Sequence, residues 1–217
     1  MARICILDPH TVNKIAAGEV IERPASIVKE LLDNALDARA TRLGIDLEAG
    51  GRRLIRVTDD GIGMSADALP RAVLRHGTSK LRQIEDLLRI GTLGFRGEAL
   101  ASIASVSRLA IQTREQETEL AARIEVVDGE VSPVRPVAGP VGTAITVAEV
   151  FYNTPARREF LRSAAAERRA ILDVVCTYAL ALPQLRILLR DDGREILDLQ
   201  PAATWRERVA DILGRPT

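Results

Sequence analysis

The chain has 217 residues, of which 47% are apolar and only 3% aromatic, and its 30 acidic and 30 basic residues cancel. A zero net charge excludes a global electrostatic attraction to nucleic acids or to membrane surfaces. The length suffices for one large domain, and the scarcity of aromatic residues requires a core built from Leu, Ile, Val and Ala.

Neither a secretory signal nor an apolar run of about 18 residues is visible, so we expect a cytoplasmic protein with no membrane partner. The two cysteines are Cys5 and Cys176. Because they are so far apart in the sequence, they form neither a metal motif nor a disulfide framework, and we expect both to be reduced thiols.

The first prominent element is a helix that begins at Pro24 and carries apolar residues at helical spacing as far as Leu36. Periodicity predicts further helices at residues 67–74, 98–104, 155–161, 166–181 and 205–213. Residues 76–97 are rich in Gly, Thr and Ser, and we predict that they form mostly a long loop with a short helix near residues 84–88. Loops of this length within a domain are usually functional.

Alternating apolar residues predict strands at residues 42–48, 53–58, 108–113, 121–127, 130–137, 143–150, 185–190 and 195–199. Three turn signals connect neighbouring strands into hairpins, namely Gly50-Gly51, Asp128-Gly129 and Asp192-Gly193. A mixed sheet covered by helices, of the α+β class, fits this order of elements.

Three polar residues of the first helix are candidates for chemistry. Glu30, Asn34 and Asp37 lie at positions i, i+4 and i+7, so they share one stripe of the helix surface. A carboxamide oxygen can bind Mg²⁺, and a carboxylate can accept a proton from an attacking water molecule. Considered alone, the stripe has a simpler interpretation as a solvated polar face.

A second candidate segment follows the strand at residues 53–58. Asp59 is succeeded by Gly61 and Gly63 at alternate positions, and glycine permits a close backbone approach. A carboxylate beyond a strand end can accept a hydrogen bond from an exocyclic amine such as that of adenine. Alone, this segment equally fits an ordinary turn.

The long loop supplies a third candidate segment. It ends in Gly91, Gly94 and Gly97 immediately before a predicted helix, an arrangement in which backbone N–H groups favour phosphate. Arg96 can add charge-assisted hydrogen bonds, and Thr78, Ser79 and Lys80 near the start of the loop supply hydroxyls and a cation. The segment matches neither a P-loop nor a Rossmann fingerprint, and alone it also fits a flexible surface loop. A fourth segment, Gly142-Thr143, is uninformative alone.

Together, in this order and spacing, the four segments resemble the GHKL ATPases, the superfamily that includes gyrase, histidine kinases and MutL. Residues 15–26 (IAAGEVIERPAS), 94–100 (GFRGEAL) and 151–158 (FYNTPARR) narrow the resemblance to the MutL family of DNA mismatch repair proteins. This resemblance implies a GHKL (Bergerat) ATPase fold, in which a mixed, mostly antiparallel sheet has helices covering one face. It also implies a domain at residues 1–200, with residues 201–217 beginning the connection to a second subdomain.

The resemblance implies ATP and Mg²⁺ as ligands and assigns roles by position. Glu30 corresponds to the general base, Asn34 to the Mg²⁺ ligand and Asp59 to the adenine contact. Gly63 shapes the base pocket and Thr143 supports it. The residues that correspond to the phosphate-binding lid are Thr78, Ser79, Lys80, Arg96, Gly97, Glu98, Ala99 and Leu100.

The same resemblance implies ATP-dependent dimerisation of N-terminal domains, a MutS-type mismatch-recognition protein, downstream nucleases or helicases, and weak, non-specific DNA binding. Since the second subdomain supplies a lysine to the γ-phosphate, we expect weak or absent turnover in this chain. Two alternatives remain open: a nucleotide-binding switch with negligible hydrolysis, and a DNA-binding module. The second rests on arginines 157, 158, 162, 168 and 169, for which a solvated helix face paired with Glu159 and Glu167 is the preferred explanation.

Four positions depart from the family pattern: Asp33, Arg39, Asp60 and Gly77 stand where Glu, Gly, Asn and Ala are common. None of these departures removes a chemical role. Asp60 adds negative charge near the base pocket, and Arg39 places a Cβ where glycine would relax the end of the helix.

Overall fold

A single mixed β-sheet organises the chain in the computed structural model, which describes residues 21–74, 77 and 97–214. Its strands, in chain order, are β1 Arg42–Glu48, β2 Leu54–Asp59, β3 Arg108–Arg114, β4 Ala121–Val127, β5 Glu130–Val131, β6 Arg135–Val137, β7 Gly142–Ala148, β8 Arg186–Asp191 and β9 Arg194–Leu199. They are arranged in the order β5-β4-β3-β7-β2-β1-β8-β9, with β6 also paired to β4. The pairing of β1 with β8 is parallel and the other pairings are antiparallel.

The helices of the described residues are α1 Pro24–Asp37, α2 Leu69–Ala72, α3 Ala99–Val106, α4 Pro155–Glu159, α5 Ala164–Ala181 and α6 Trp205–Leu213. The predicted α+β class is therefore confirmed. In the described part of the chain, none of the helices combines the length and apolarity needed to cross a lipid bilayer.

One face of the sheet is buried against the helices, and the side chains of each strand alternate accordingly. In β1, Leu43, Ile45 and Leu47 are buried and the residues between them are not. They share one apolar core with Ile27 and Leu31 of α1. The alternation that predicted the strands therefore also determines which face carries the helices.

Residues 130–137, predicted as one strand, form two. Strands β5 and β6 both pair with β4, and Ser132, Pro133 and Val134 separate them. Pro133 has no N–H to donate to a neighbouring strand, which explains the interruption. At the same point Ser132 Oγ accepts a hydrogen bond from the Glu125 N–H at 2.9 Å.

Helix α1 ends in a left-handed residue that is not glycine. Arg39 has a φ of 62°. Its N–H donates to the Leu36 carbonyl at 2.9 Å, and the next N–H, of Ala40, donates to the Ala35 carbonyl at 3.0 Å. These two bonds define a Schellman motif, in which glycine is the residue usually found at the position of Arg39.

We expect Arg39→Gly to stabilise the chain by about 1 kcal/mol, because the left-handed conformation strains a residue that carries a Cβ. The Arg39 side chain is exposed, so its loss removes little packing. Urea unfolding of the two proteins measures the difference. An Arg39→Ala variant is the control, since it shortens the side chain but keeps the Cβ and should gain no stability.

Candidate functional site

Three polar residues form a row across one end of the sheet, on the face that carries the helices. Asp59 of β2 is in register with Thr143 of β7, and Thr143 is in register with Thr113 of β3. The two threonine hydroxyls lie 3.0 Å apart and are buried. Polar groups are rare in a core unless they are hydrogen-bonded, and this row therefore marks a place where the core gives way to a site.

The Asp59 carboxylate is the central group of this row. Its Oδ1 accepts a hydrogen bond from the Gly61 N–H at 2.8 Å. Burial raises the pKa of Asp59 to about 6, although hydrogen bonds from the backbone N–H groups of Gly61 and Thr143 oppose the rise. A carboxylate that is largely withdrawn from water gains most from a ligand that donates a hydrogen bond to it.

The loop after Asp59 is fastened on both sides. The Ile62 N–H donates to the Ala38 carbonyl at the end of α1, at 3.0 Å, and the Met64 N–H donates to Thr113 Oγ1 at 2.9 Å. A Cβ at Gly63, whose φ is 73°, would lie 2.2 Å from the Arg114 carbonyl oxygen. The glycine predicted to shape the pocket is thus required by the close approach of the loop to β3.

Helix α1 presents Glu30 and Asn34, both half-buried, one turn apart. Beside them, the ammonium of Lys29 lies 2.8 Å from Asp33 Oδ2 and 3.7 Å from Glu30 Oε1. The hydrogen bond to Asp33 is the main cause that raises the pKa of Lys29. A cation close to Glu30 favours the ionised carboxylate, which is the form that can accept a proton.

Asp33 itself is buried and has a structural role. The hydroxyl of Tyr178, on α5, donates to Asp33 Oδ1, while Lys29 donates to Oδ2. Burial is the main cause that raises the pKa of Tyr178, and the bond to Asp33 adds to it, so the phenol remains protonated. The sequence gives Asp33 only as a departure from the family pattern, because the partner on α5 is distant in the chain.

The loop predicted to hold phosphates is described only at its end. Gly97 has a φ of 61°, and Glu98, Ala99 and Leu100 follow it into α3, where the Ser102 N–H donates to the Glu98 carbonyl at 2.8 Å. The remaining residues predicted for this loop lie outside the described residues: Thr78, Ser79, Lys80 and Arg96.

Two site features escaped the sequence prediction. Thr113 joins β3 to the loop after β2, and its inward position follows from the alternation of Leu109, Ile111 and Thr113 along the strand. Gly142 has a φ of 110°, and a Cβ there would lie 2.1 Å from the Asp59 carbonyl oxygen. The pair Gly142-Thr143, which is uninformative in the sequence, is thus tied to Asp59 by register and by close packing.

Asp60 points away from Asp59 and serves the backbone of β1. Its carboxylate accepts hydrogen bonds from the Thr41 N–H, the Thr41 hydroxyl and the Arg42 N–H at 2.7 to 2.8 Å. Partial burial raises the pKa of Asp60, but these hydrogen bonds outweigh that effect and leave the pKa below its ordinary value.

The prediction that Glu167 pairs with the arginines of a solvated helix face is wrong. Glu167 is buried, and its carboxylate accepts hydrogen bonds from the Arg23 guanidinium at 3.0 and 3.2 Å and from the Arg162 N–H at 3.1 Å. The helix arginines have other partners, because Arg168 pairs with Asp191 and Arg169 with Asp173.

Comparison with known proteins agrees with this geometry. Residues 22–135 match the family described as histidine kinase-, DNA gyrase B- and HSP90-like ATPase. The DNA mismatch repair protein MutL of Solibacter usitatus is 52% identical over 214 residues, which are 99% of this chain and 32% of that protein. MutL of Acidiphilium cryptum is 55% identical over 209 residues, 96% of this chain and 36% of that protein.

Solved structures give the same result. The MutL ATPase domain of Aquifex aeolicus complexed with ADP superposes with a TM-score of 0.72 at 35% identity, over 89% of this chain and 70% of that one. The N-terminal domain of a DNA repair protein gives a TM-score of 0.80 at 26% identity, over 94% of this chain and 60% of that one.

The fold and the matched residues define the class: this is an ATPase domain of the GHKL superfamily. Within that class, the chain belongs to the MutL family of DNA mismatch repair proteins. It spans about a third of the length of these two relatives.

Proposed function

We propose that the chain binds ATP with Mg²⁺ at the end of the sheet marked by Asp59, Thr143 and Thr113, and that it hydrolyses the γ-phosphate. The observation that carries this proposal is the environment of Asp59. Its carboxylate is largely buried and oriented by the Gly61 N–H at 2.8 Å. The related domain from Aquifex aeolicus binds ADP, which supports a nucleotide ligand.

Recognition of the base follows from the raised pKa of Asp59. The exocyclic amine of adenine is a donor, and a buried carboxylate is a strong acceptor for it. The hydrogen bond offsets part of the cost of keeping the charge away from water. Thr143 supports the carboxylate through its backbone N–H, and Gly63 lets the loop approach β3 without obstruction.

The reacting end of the nucleotide is assigned to α1. Asn34 would hold Mg²⁺ through its amide oxygen, a hard ligand that suits this ion, and the phosphates and water would complete the coordination. When bound, Mg²⁺ supplies positive charge against the phosphate oxygens. Glu30, one turn away, takes a proton from the attacking water as the new P–O bond forms and the bond to the β-phosphate oxygen breaks.

The phosphates themselves are assigned to the loop that precedes α3. Thr78, Ser79, Lys80 and Arg96, with residues 97–100, supply hydroxyls, cations and backbone N–H groups to them. Gly97 has a positive φ immediately before α3, which is consistent with backbone donors turned toward an anion at a helix start.

The wider role follows from the family. We assign the chain to the N-terminal ATPase region of a mismatch repair protein, with residues 1–200 as the ATP-binding domain and residues 201–217 as the start of a connection. The expected partners are a second N-terminal domain in the ATP state, a MutS-type protein, and nucleases or helicases. Weak turnover in this chain, and so a switch rather than a fast enzyme, follows from the lysine expected in the second subdomain.

Exchanging Glu30 for Gln separates binding from chemistry. We expect Mg²⁺·ATP affinity to stay within about threefold, whereas single-turnover hydrolysis falls at least about a hundredfold because the general base is lost. Glu48→Gln is the control, since Glu48 lies at the opposite end of β1 from Asp59 and pairs with Arg53. Equal hydrolysis rates in Glu30→Gln and the unmodified chain would refute the assignment of Glu30.

A further inference from the structure

A second cavity lies at the same end of the sheet as Asp59, but beside the strands β1, β8 and β9. It encloses about 250 Å³ and is lined by Thr41, Arg42, Gln184, Arg186, Gln200 and Pro201. None of these residues is assigned a part in the ATP reaction. Of the six, two are arginines and none is acidic, so the lining as a whole is electropositive.

The two arginines are neighbours by backbone pairing. Arg42 and Arg186 face each other in the parallel register of β1 and β8, and the Arg186 N–H donates to the Thr41 carbonyl at 3.0 Å. The residues that follow them, Leu43 and Ile187, are buried against the helices, so both arginine side chains lie on the other face of the sheet.

Their charges have little compensation within the protein. Asp60 Oδ2 is 4.0 Å from Arg42 Nε, and the Asp60 carboxylate already accepts three hydrogen bonds from Thr41 and Arg42 backbone and hydroxyl groups. Among the described residues, no carboxylate lies within 4.0 Å of the Arg186 guanidinium. Asp198 lies beyond Gln200, whose amide donates to it at 3.0 Å.

We propose that this cavity, the Arg42–Arg186 pocket, binds a phosphate group, either free or carried by a nucleic-acid backbone. Guanidinium groups bind the oxygens of phosphate in pairs, and two adjacent guanidiniums repel each other until an anion lies between them. The Gln184 amide can add a neutral donor. The volume is below the roughly 300 Å³ at which pockets begin to enclose whole small ligands, so the pocket takes a phosphate group and not a complete nucleotide.

The pocket is distinct from the proposed ATP site. Asp59 is in register with Leu43 and lies on the helix side of the sheet, whereas Arg42 and Arg186 lie on the opposite side. The proposal therefore stands or falls independently of ATP hydrolysis.

Inorganic phosphate, titrated into ¹⁵N-labelled protein, tests the pocket directly. We expect saturable shifts of the amide signals of Thr41, Arg42 and Arg186, with a dissociation constant on the order of 1 mM. The double variant Arg42→Gln/Arg186→Gln should weaken this binding at least about tenfold, because both charges are removed while length and polarity are kept.

The control is Arg169→Gln, an exposed arginine of α5 that pairs with Asp173, and it should leave the titration unchanged. The proposal is overturned if these amides show no saturable shift at phosphate concentrations well above that constant, or if the double variant binds phosphate as the unmodified chain does.

DNA binding at several salt concentrations identifies the source of the phosphate. If the pocket takes backbone phosphates, the slope of log affinity against log salt should be shallower in the double variant, by about 0.9 for each DNA phosphate that the two arginines neutralise. If the slope is unchanged while inorganic phosphate binding is abolished, the ligand is a free phosphate group. Both results support a phosphate site, and a double variant that keeps both the slope and the binding of inorganic phosphate would contradict it.

Discussion

Asp59→Asn is expected to stabilise the folded chain at pH 7.5 and at the same time to weaken ATP binding by more than tenfold. The pKa of Asp59 is raised from 3.8 to about 6, chiefly by burial. A carboxyl group with a raised pKa contributes stability below pH 4, and that contribution is lost as the pH rises through 6. At about 1.36 kcal/mol per unit, the ionised carboxylate costs about 2–3 kcal/mol above pH 6, and the neutral amide avoids this cost.

The opposite effect is expected at the adjacent residue. Partial burial acts to raise the pKa of Asp60, but hydrogen bonds from Thr41 and Arg42 outweigh it, so the pKa is lowered. Its stabilising effect is therefore present above pH 4 and lost as the pH falls through its lowered pKa. Asp60→Asn should destabilise the chain at pH 7.5 and change ATP affinity by less than about threefold, since the amide retains one acceptor oxygen.

Urea unfolding between pH 4 and pH 8 measures both effects, and calorimetry measures ATP affinity. The advantage of Asp59→Asn over the unmodified chain should shrink as the pH falls from 6 to 4. A loss of stability in both variants at pH 7.5 would show that the Asp59 carboxylate is held by hydrogen bonds that outweigh its burial.

The largest loss of stability is expected from Glu167→Ala, at about 3–5 kcal/mol. The variant removes a buried carboxylate that accepts from the Arg23 guanidinium and from the Arg162 N–H. Both donors then lack their partner in a region from which water is mostly excluded. Arg23 immediately precedes α1, so the helix that carries Glu30 and Asn34 also loses an attachment to α5.

Glu159→Ala is the matched control, because Glu159 is exposed at the end of α4 and the same substitution there should cost less than about 0.5 kcal/mol. Thermal and urea unfolding of the two variants give the comparison. Equal, small losses would indicate that Glu167 and Arg23 are solvated and contribute little.

The helices and hairpins could be predicted because their signals are local. Helix α1 follows from apolar residues at helical spacing after Pro24. The turns at Asp128-Gly129 and Asp192-Gly193 have positive φ at all four residues, as the type I′ turns of hairpins require. The strand break at Pro133 was also readable from the missing N–H, but the surrounding alternation of apolar residues obscured it.

The candidate site was predictable only in part. Glu30, Asn34 and Asp59 carry motifs, and the resemblance gave them roles. The interactions of Asp33 with Tyr178, of Asp60 with Thr41, and of Glu167 with Arg23 join residues that are distant in the sequence. Whether such an acid is solvated, capping or buried depends on which elements pack together, and no local pattern contains that information.

Calorimetric titration of Mg²⁺·ATP into the unmodified chain and into Asn34→Ala tests the central claim most directly. The account predicts one saturable site in the unmodified chain and at least about tenfold weaker binding in the variant, because the carboxamide that holds the metal is lost. Indistinguishable affinities in the two proteins, with the variant correctly folded, would contradict the assignment of α1 to an Mg²⁺·ATP site.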